Sequence, residues 1–185
     1  MATTAVDALH FTGDPEADAF LGREPLALLI GFALDQQVTV QKAFSGPLVL
    51  RERLGTLDAA TIAGADLDPI FRERPAIHRF PGAMAQRVHD LAVHIVETYD
   101  GDAGRVWGED ITPDELKRRL YALPGYGEMK VNSLIAVLAR RFGVAAALPL
   151  VPSHPTLGDV DSPAALAEYQ TGKRAHKAAL RAARA

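Results

Sequence analysis

The stretch from Leu120 to Val131 reads Leu-Tyr-Ala-Leu-Pro-Gly-Tyr-Gly-Glu-Met-Lys-Val and decides the fold. Before it, Thr112-Pro-Asp-Glu115 is typical of a helix start, with a capping residue, a proline and two acids in the first turn. After it, apolar residues recur at helical spacing at Val131, Leu134, Ile135 and Leu138. The sequence therefore predicts two helices joined by a tight turn, a helical hairpin over about residues 113–141.

The two glycines of Pro124-Gly-Tyr-Gly127 indicate that this turn could also bind a ligand. Glycine adopts positive φ angles and lets another backbone approach closely. The second helix would begin with free amides near Gly127, Met129 and Lys130, and free amides at a helix N-terminus attract phosphate. Such contacts hold a nucleic-acid backbone without reading its bases. The alternative is a plain turn that uses proline and glycine only for its shape.

Composition indicates a globular helical protein. The chain has 185 residues, 48% of them hydrophobic and 23% charged, and no cysteine. The lack of cysteine excludes disulfides, thiol nucleophiles, cysteine-ligated zinc and iron–sulfur clusters. Since no segment has a convincing strand pattern, the expected fold class is all-α. Pro25 to Leu34 predicts a central, buried helix, and Ser45-Gly-Pro47 is expected to break the chain.

The length of the apolar segments and the charge of the N-terminal residues predict the cellular location. The apolar run Pro25 to Leu34 is about half as long as the roughly 20 residues that span a bilayer. The first twenty residues contain no lysine or arginine, so no secretory signal is expected. The prediction is a cytoplasmic, nucleoid-associated monomer without membrane contact.

Charge divides the chain unevenly. The net charge is −3, yet residues 173–185 hold five bases and no acid: Lys173, Arg174, Lys177, Arg181 and Arg184. We therefore expect a helical domain over 1–160 and a basic C-terminal helix or tail over 161–185. The tail is either an electrostatic arm for DNA or a solubilising end.

Leu120–Val131 resembles the helix-hairpin-helix of the HhH-GPD superfamily of base-excision DNA glycosylases. Leu34-Asp-Gln-Gln-Val-Thr-Val40 is similar to that superfamily's Leu-x-x-Gln segment. More closely, Leu34–Pro47 with Ala76–Met84 and the region around Trp107 looks like small bacterial HhH-GPD-type base-excision repair proteins, a resemblance that covers about residues 14–143 and part of the tail. The resemblance implies a two-lobed helical fold that binds double-stranded DNA in a cleft, with the N-terminal residues packed on the C-terminal lobe.

The resemblance also implies roles for the hairpin. In this superfamily the hairpin clamps the phosphates beside a damaged nucleotide that is flipped out of the duplex. That role falls on Gly125, Gly127, Met129 and Lys130. Hairpin carbonyls often hold a monovalent cation, Na⁺ or K⁺, and here Tyr121, Leu123 and Tyr126 would supply them. No other cofactor is expected.

In the superfamily that the chain resembles, a glutamine of the Leu-x-x-Gln segment fills the gap that the flipped base leaves. Gln36 or Gln37 would do so here, because an amide both donates to and accepts from the unpaired base. The alternative for this pair is a helix end exposed to water. His78, Arg79 and Arg87 are further candidates for phosphate contact or for a solvated basic surface, and Trp107 and Tyr126 for a base pocket or for the core.

Two departures from the superfamily concern chemistry. Bifunctional members carry a Schiff-base lysine where this chain has Met129, and Lys130 is one residue further, about 100° around the helix. We therefore expect no β-lyase activity, and water as the nucleophile. The catalytic aspartate would lie soon after the second helix, but residues 144–155 contain no acid. Asp159 and Asp35 are the candidates, unless another residue or none takes the role; Asp159 could also be only a helix cap.

The leading prediction is a monofunctional DNA glycosylase, a hydrolase that acts on N-glycosidic bonds in base-excision repair. The first alternative is a non-catalytic protein that binds DNA structure or damage and lacks the catalytic aspartate. The second is a helical protein-interaction module without a DNA role.

Overall fold

The computed structural model describes residues 6–108 and 110–184, which form nine α-helices and three short 3₁₀ helices without a strand. The α-helices are α1 Pro15–Arg23, α2 Pro25–Leu34, α3 Val40–Leu54, α4 Ala59–Gly64, α5 Asp68–Arg72, α6 Pro81–Tyr99, α7 Pro113–Ala122, α8 Glu128–Arg140 and α9 Pro163–Ala182. The 3₁₀ helices are Ala103–Val106, Ala145–Leu150 and Leu157–Asp159. The all-α prediction is confirmed.

Helix α2 is the centre of the fold. Nine of its ten residues, Leu26 through Leu34, are buried. It packs against α1, α3 and α6, and the 3₁₀ helix Ala103–Val106 contacts it as well. Because it is enclosed on all sides, the position of its C-terminal end is fixed by its neighbours.

The expected break at Ser45-Gly-Pro47 is wrong. Helix α3 continues through Pro47, from a Thr39 cap that accepts a hydrogen bond from the Lys42 amide to Gly55 in a left-handed conformation at φ +85°. A proline inside a helix removes one backbone hydrogen bond. Burial of Pro47 and of the apolar residues on both sides of it offsets that loss, and a side chain at Gly46 would collide with Leu34.

The described N-terminal residues pack on α1 and α3. The Val6 amide donates to the Gly22 carbonyl, and the Phe11 ring lies edge-on to the Phe44 ring at 4.9 Å between centroids. The buried Asp18 carboxylate accepts from the Phe11 amide at 3.1 Å. These contacts do not show the expected packing of the N-terminus on the C-terminal lobe.

The buried apolar side chains form one connected cluster from Leu9 to Leu166. The hairpin of α7 and α8 joins it through Leu116, Leu120, Val131 and Leu134, all of which are 0% exposed. The hairpin is therefore held against the same core as α2. Within the described ranges, no helix is both long enough and apolar enough to cross a membrane.

Close packing at Gly31 is the basis of a stability prediction. A methyl group at Gly31 would overlap the Phe44 ring, which is 1% exposed. Overpacking costs about 1–3 kcal/mol, and the gain in helix propensity recovers only about 1 kcal/mol of it. We expect Gly31→Ala to lower the free energy of unfolding in urea. Gly64→Ala, at the end of α4 with no atom within 4 Å, should leave it unchanged or raise it; equal effects would contradict this packing.

Candidate nucleic-acid interface

The turn between α7 and α8 requires one of its two glycines for its shape. The Tyr126 amide donates to the Leu123 carbonyl at 3.1 Å, and Gly125, which follows Pro124, has φ +79°. Proline followed by a residue with positive φ is the pattern of a type II turn. A side chain at Gly125 would also lie 2.9 Å from the Arg87 side chain. Conformation and packing both explain this glycine.

Gly127 has no such explanation inside the protein. Its φ of −98° and ψ of −178° are extended values that any residue adopts. A Cβ atom added there would have no neighbour within 4 Å in the described part of the chain. The residue lies at the N-cap of α8 and provides no side-chain cap. The surface in front of α8 is therefore open.

The first amides of α8 are open as well. Across the described ranges, no hydrogen bond reaches the backbone N–H groups of residues 127–130. Gly127, Glu128 and Met129 are exposed, and Met129 is 80% exposed. Free amides at the N-terminus of a 13-residue helix carry its positive dipole end. This end of α8 can accept an anion.

Two side chains of the hairpin anchor it to α2. The Tyr126 hydroxyl donates to the Leu29 carbonyl at 2.6 Å, and the Lys130 ammonium donates to the Ala33 carbonyl at 3.0 Å. Tyr126 is only 6% exposed, so its ring belongs to the core and not to a base pocket. Trp107 is likewise buried, at 3%.

The turn that follows α2 separates the two candidate glutamines. Gln36 is half-buried, and its side-chain oxygen accepts a hydrogen bond from Arg87. Gln37 is exposed and has φ +56°, in the left-handed region. The structure therefore holds Gln36 against α6 and leaves the Gln37 side chain at the surface.

Arg87 brings the turn and the hairpin together. Its side chain contacts Gly125 and its guanidinium binds Gln36, although these residues are far apart in the chain. No local sequence signal distinguishes this arginine from a solvated one, so sequence reasoning left its role open.

Asp35 lies at the C-terminal end of α2 beside two cations. Burial raises the pKa of its carboxyl group, against the lowering effects of Lys173 and Lys130. Burial, together with the nearby Arg87, lowers the pKa of Lys130 to about 8, while Asp35 acts to raise it. A half-buried carboxylate is thus within electrostatic reach of two ammonium groups, one of them on the first turn of α8, without forming an ion pair with either among the residues that the structure describes. The role of Lys173 could not be read from sequence, because it depends on how α9 packs.

Asp159 is far from this group. Its carboxylate accepts from the Thr156 amide at 2.8 Å in a capping box and forms an ion pair with Arg140. Arg140 ends α8, and a helix of 13 residues is about 20 Å long. A side chain at the adjacent Gly158 would collide with Ala136, which fixes this segment along the far half of α8. The structure therefore gives Asp159 a capping role and does not return it to the hairpin.

His78 is a structural residue and not a phosphate ligand. Its Nε2–H donates to the Leu34 carbonyl at 3.0 Å, and its Nδ1 accepts from the Phe80 amide at 3.0 Å. Burial lowers its pKa, which favours the neutral ring. Its neighbour Arg79 is exposed, with its guanidinium 4.9 Å from the centre of the Phe80 ring.

The candidate cation site consists of carbonyls. The Leu123 carbonyl already accepts from the Tyr126 amide and keeps one lone pair for a Na⁺ or K⁺ ion. Binding by Tyr121, Leu123 and Tyr126 stays a prediction. Side chains offer no alternative, since the part of the chain that is described contains no group of histidine, aspartate and glutamate suited to a metal.

No protein-family model matches this chain, and no curated protein matches it.

The buried carboxylate gives a prediction for stability. The folded state raises the pKa of Asp35 above 3.8. Just above pH 3.8, folded protein therefore binds more protons than unfolded protein, and the free energy of unfolding falls as the pH rises through this window. Asp35→Asn should therefore raise the urea midpoint at pH 7, with a smaller gain as the pH approaches 4. A gain that is constant with pH, or a loss at pH 7, would contradict the burial of a charged carboxylate.

Proposed function

We propose that this protein binds double-stranded DNA in base-excision repair, as a monofunctional DNA glycosylase of the HhH-GPD type. The observation that supports this most is the open N-terminus of α8, where the amides of residues 127–130 have no partner among the described residues. A phosphate group is the natural ligand of such an end. Among the described residues, neither the backbone conformation nor the packing at position 127 requires a glycine. The missing side chain would allow the DNA backbone to approach.

The surrounding charges favour the same ligand. Lys130 and Arg87 lie close enough to influence each other, and Lys173 influences Asp35 from α9. A chain of net charge −3 binds a polyanion only where its cations are concentrated. The amides and these three cations form one such place.

Gln37 is the better of the two glutamines for insertion into the DNA stack. It is exposed, whereas Gln36 is half-buried and its side-chain oxygen already accepts from Arg87. A left-handed conformation costs a residue with a side chain about 1–2 kcal/mol. Such strain concentrates at functional sites. The conformation of Gln37 would present its amide to the unpaired base.

Asp35 would be the carboxylate of the reaction. In the hydrolysis, the bond between C1′ of the sugar and the base nitrogen breaks, and the base leaves with the bonding electrons. A water oxygen adds to C1′, and a nearby carboxylate stabilises the positive sugar and accepts the proton of that water. The raised pKa of Asp35 suits proton acceptance. The Lys130 amine is bound to Ala33, so no strand cleavage is expected.

The alternative is a protein that binds DNA structure or damage without catalysis. The position of Asp159 favours it, because the acid nearest to the usual catalytic place caps the 3₁₀ helix Leu157–Asp159 and pairs with Arg140 at the far end of α8. In that case the hairpin and Gln37 would recognise a distorted duplex, and Asp35 would have no chemical role.

DNA binding is tested by Gly127→Ser. A serine at this N-cap should accept hydrogen bonds from the free amides and stabilise the helix by a few tenths of a kcal/mol. The same bonds would compete with phosphate, so affinity for a 20-base-pair duplex in fluorescence anisotropy should fall roughly tenfold, as expected for one charged hydrogen bond. A variant that is more stable and yet binds more weakly would separate recognition from folding.

Two further variants make this test specific. Glu128→Gln removes an exposed acid beside the amides and should strengthen binding by roughly two- to fivefold. Gly64→Ser makes the same change as Gly127→Ser at another open glycine and should not affect binding. Unchanged affinity in both Gly127→Ser and Glu128→Gln would exclude the hairpin as the phosphate site.

Catalysis is tested by incubating the protein with duplexes that carry alkylated, oxidised or deaminated bases. We expect abasic sites on at least one substrate, revealed as strand breaks only after alkali treatment. Asp35→Asn should slow their formation roughly a hundredfold or more, as for loss of a charge-stabilising group. Asp159→Asn should lower stability through its capping box and leave the rate unchanged.

The outcomes separate the two proposals. Abasic sites with an unaffected Asp35→Asn rate would remove Asp35 from the reaction. DNA binding without abasic sites on any substrate would establish the non-catalytic alternative. Strand breaks without alkali would contradict the expected lack of β-lyase activity.

A further inference from the structure

The second half of α9 and the turn after it carry a basic stripe, which we define as Lys173, Arg174, Lys177, Arg181 and Arg184. At about 100° per residue, the four members that lie on α9 fall within an arc of about 100° on one side of the helix. All five are exposed. The chain has no acid after Glu168, so the charge of the stripe is not balanced on α9 itself.

The stripe begins at the candidate DNA site. Gln170 and Gln41 exchange side-chain hydrogen bonds at 2.6 and 3.3 Å, which places α9 beside the first turn of α3. Lys173 acts on the carboxyl group of Asp35. By the same helical geometry, the buried Leu166 and Gln170 lie in the arc of the stripe. The basic side chains therefore continue the face by which α9 meets the turn after α2.

Most of this charge has no counter-charge among the described residues; Lys173 alone lies near a carboxylate, that of Asp35. Among the described residues, no ion pair involves a member of the stripe. Lys173 and Lys177, and Lys177 and Arg181, are like charges four residues apart, a spacing that destabilises a helix. The opposite side of this half of α9 consists largely of Ala175, Ala178, Ala179 and Ala182. Apart from Lys173, which acts on Asp35 and lies 5.7 Å from the centre of the Tyr169 ring, the stripe has no partner among the described residues.

We infer that the basic stripe is a second DNA-binding element, which contacts the phosphates of the duplex beyond the base-excision site. From Lys173 to Arg181 the helix rises about 12 Å, which matches about three to four base pairs at 3.4 Å each, and Arg184 lies just beyond the helix end. An anionic membrane is the less suitable partner, because a membrane-surface helix needs bulky apolar side chains opposite its charges and α9 has alanines there. This inference depends on the proposed binding of DNA at the hairpin.

The test compares two double variants with the same change in charge. Lys177→Gln with Arg181→Gln removes the middle of the stripe. Arg23→Gln with Arg74→Gln removes two exposed arginines at the end of α1 and in the segment after α5. If both stripe residues contact phosphates, the slope of log Kd against log salt should become shallower by about 1.8 in the stripe variant and hardly change in the control.

Duplex length provides the second measurement. For wild-type protein, extending the duplex on one side of a central lesion by about five base pairs should strengthen binding, and the stripe variant should lose this gain. An unchanged salt slope, or equal changes in the two double variants, would overturn the inference. So would binding to vesicles of anionic phospholipid that the stripe variant loses while its DNA binding stays intact.

Failure of this inference differs from failure of the proposed function. If wild-type protein binds DNA and Gly127→Ser weakens that binding, the hairpin proposal holds whatever the stripe variant does. If wild-type protein shows no salt-dependent binding to duplex DNA, both the hairpin proposal and the inference are wrong.

Discussion

The structure depends on which groups donate hydrogen bonds to the carbonyls at the C-terminal end of α2. The last carbonyls of a helix have no partner within it, and at a buried end they need one from elsewhere. Side chains from distant segments supply it: Lys130 binds the Ala33 carbonyl and His78 binds the Leu34 carbonyl. One turn earlier, the Tyr126 hydroxyl binds the Leu29 carbonyl. These three bonds place the hairpin and the segment before α6 around the same helix end.

This arrangement brings together groups that do not stabilise one another well. Asp35 and Lys130 are both shifted by burial towards their neutral forms, and Gln37 has a left-handed backbone. The first amides of α8 have no partner among the described residues. Proteins retain such unfavourable features where they serve a ligand, because packing elsewhere supplies the stability. Here the core around α2 does so.

Local patterns in the sequence predicted the helices well where those patterns were long. The run from Pro25 to Leu34 indicated the buried helix α2, and the cap, turn and apolar spacing between Thr112 and Leu138 indicated the hairpin. Pro47 was misleading, because its local effect on a helix is outweighed by burial that only the folded chain shows.

The candidate site was less predictable, because its residues meet only through tertiary contacts. Asp159 was predicted as a candidate at the hairpin because it is the first acid after α8 in the sequence. In the structure, a capping box and Arg140 hold it at the far end of α8. The link from Arg87 to Gln36 and the approach of Lys173 to Asp35 join segments with no shared sequence pattern. The hydrogen bond from Arg87 that distinguishes Gln36 from Gln37 could not be predicted from the sequence either.

The two anchors of the hairpin respond differently to alkali. The pKa of Tyr126 is raised well above 10 by burial, so its phenol remains a hydrogen-bond donor under mildly alkaline conditions. Lys130 loses its proton near pH 8, but a neutral amine still has N–H groups to donate to Ala33. A modest rise in pH would therefore remove the Lys130 charge from the first turn of α8 while Arg87 stays charged and the hairpin stays docked.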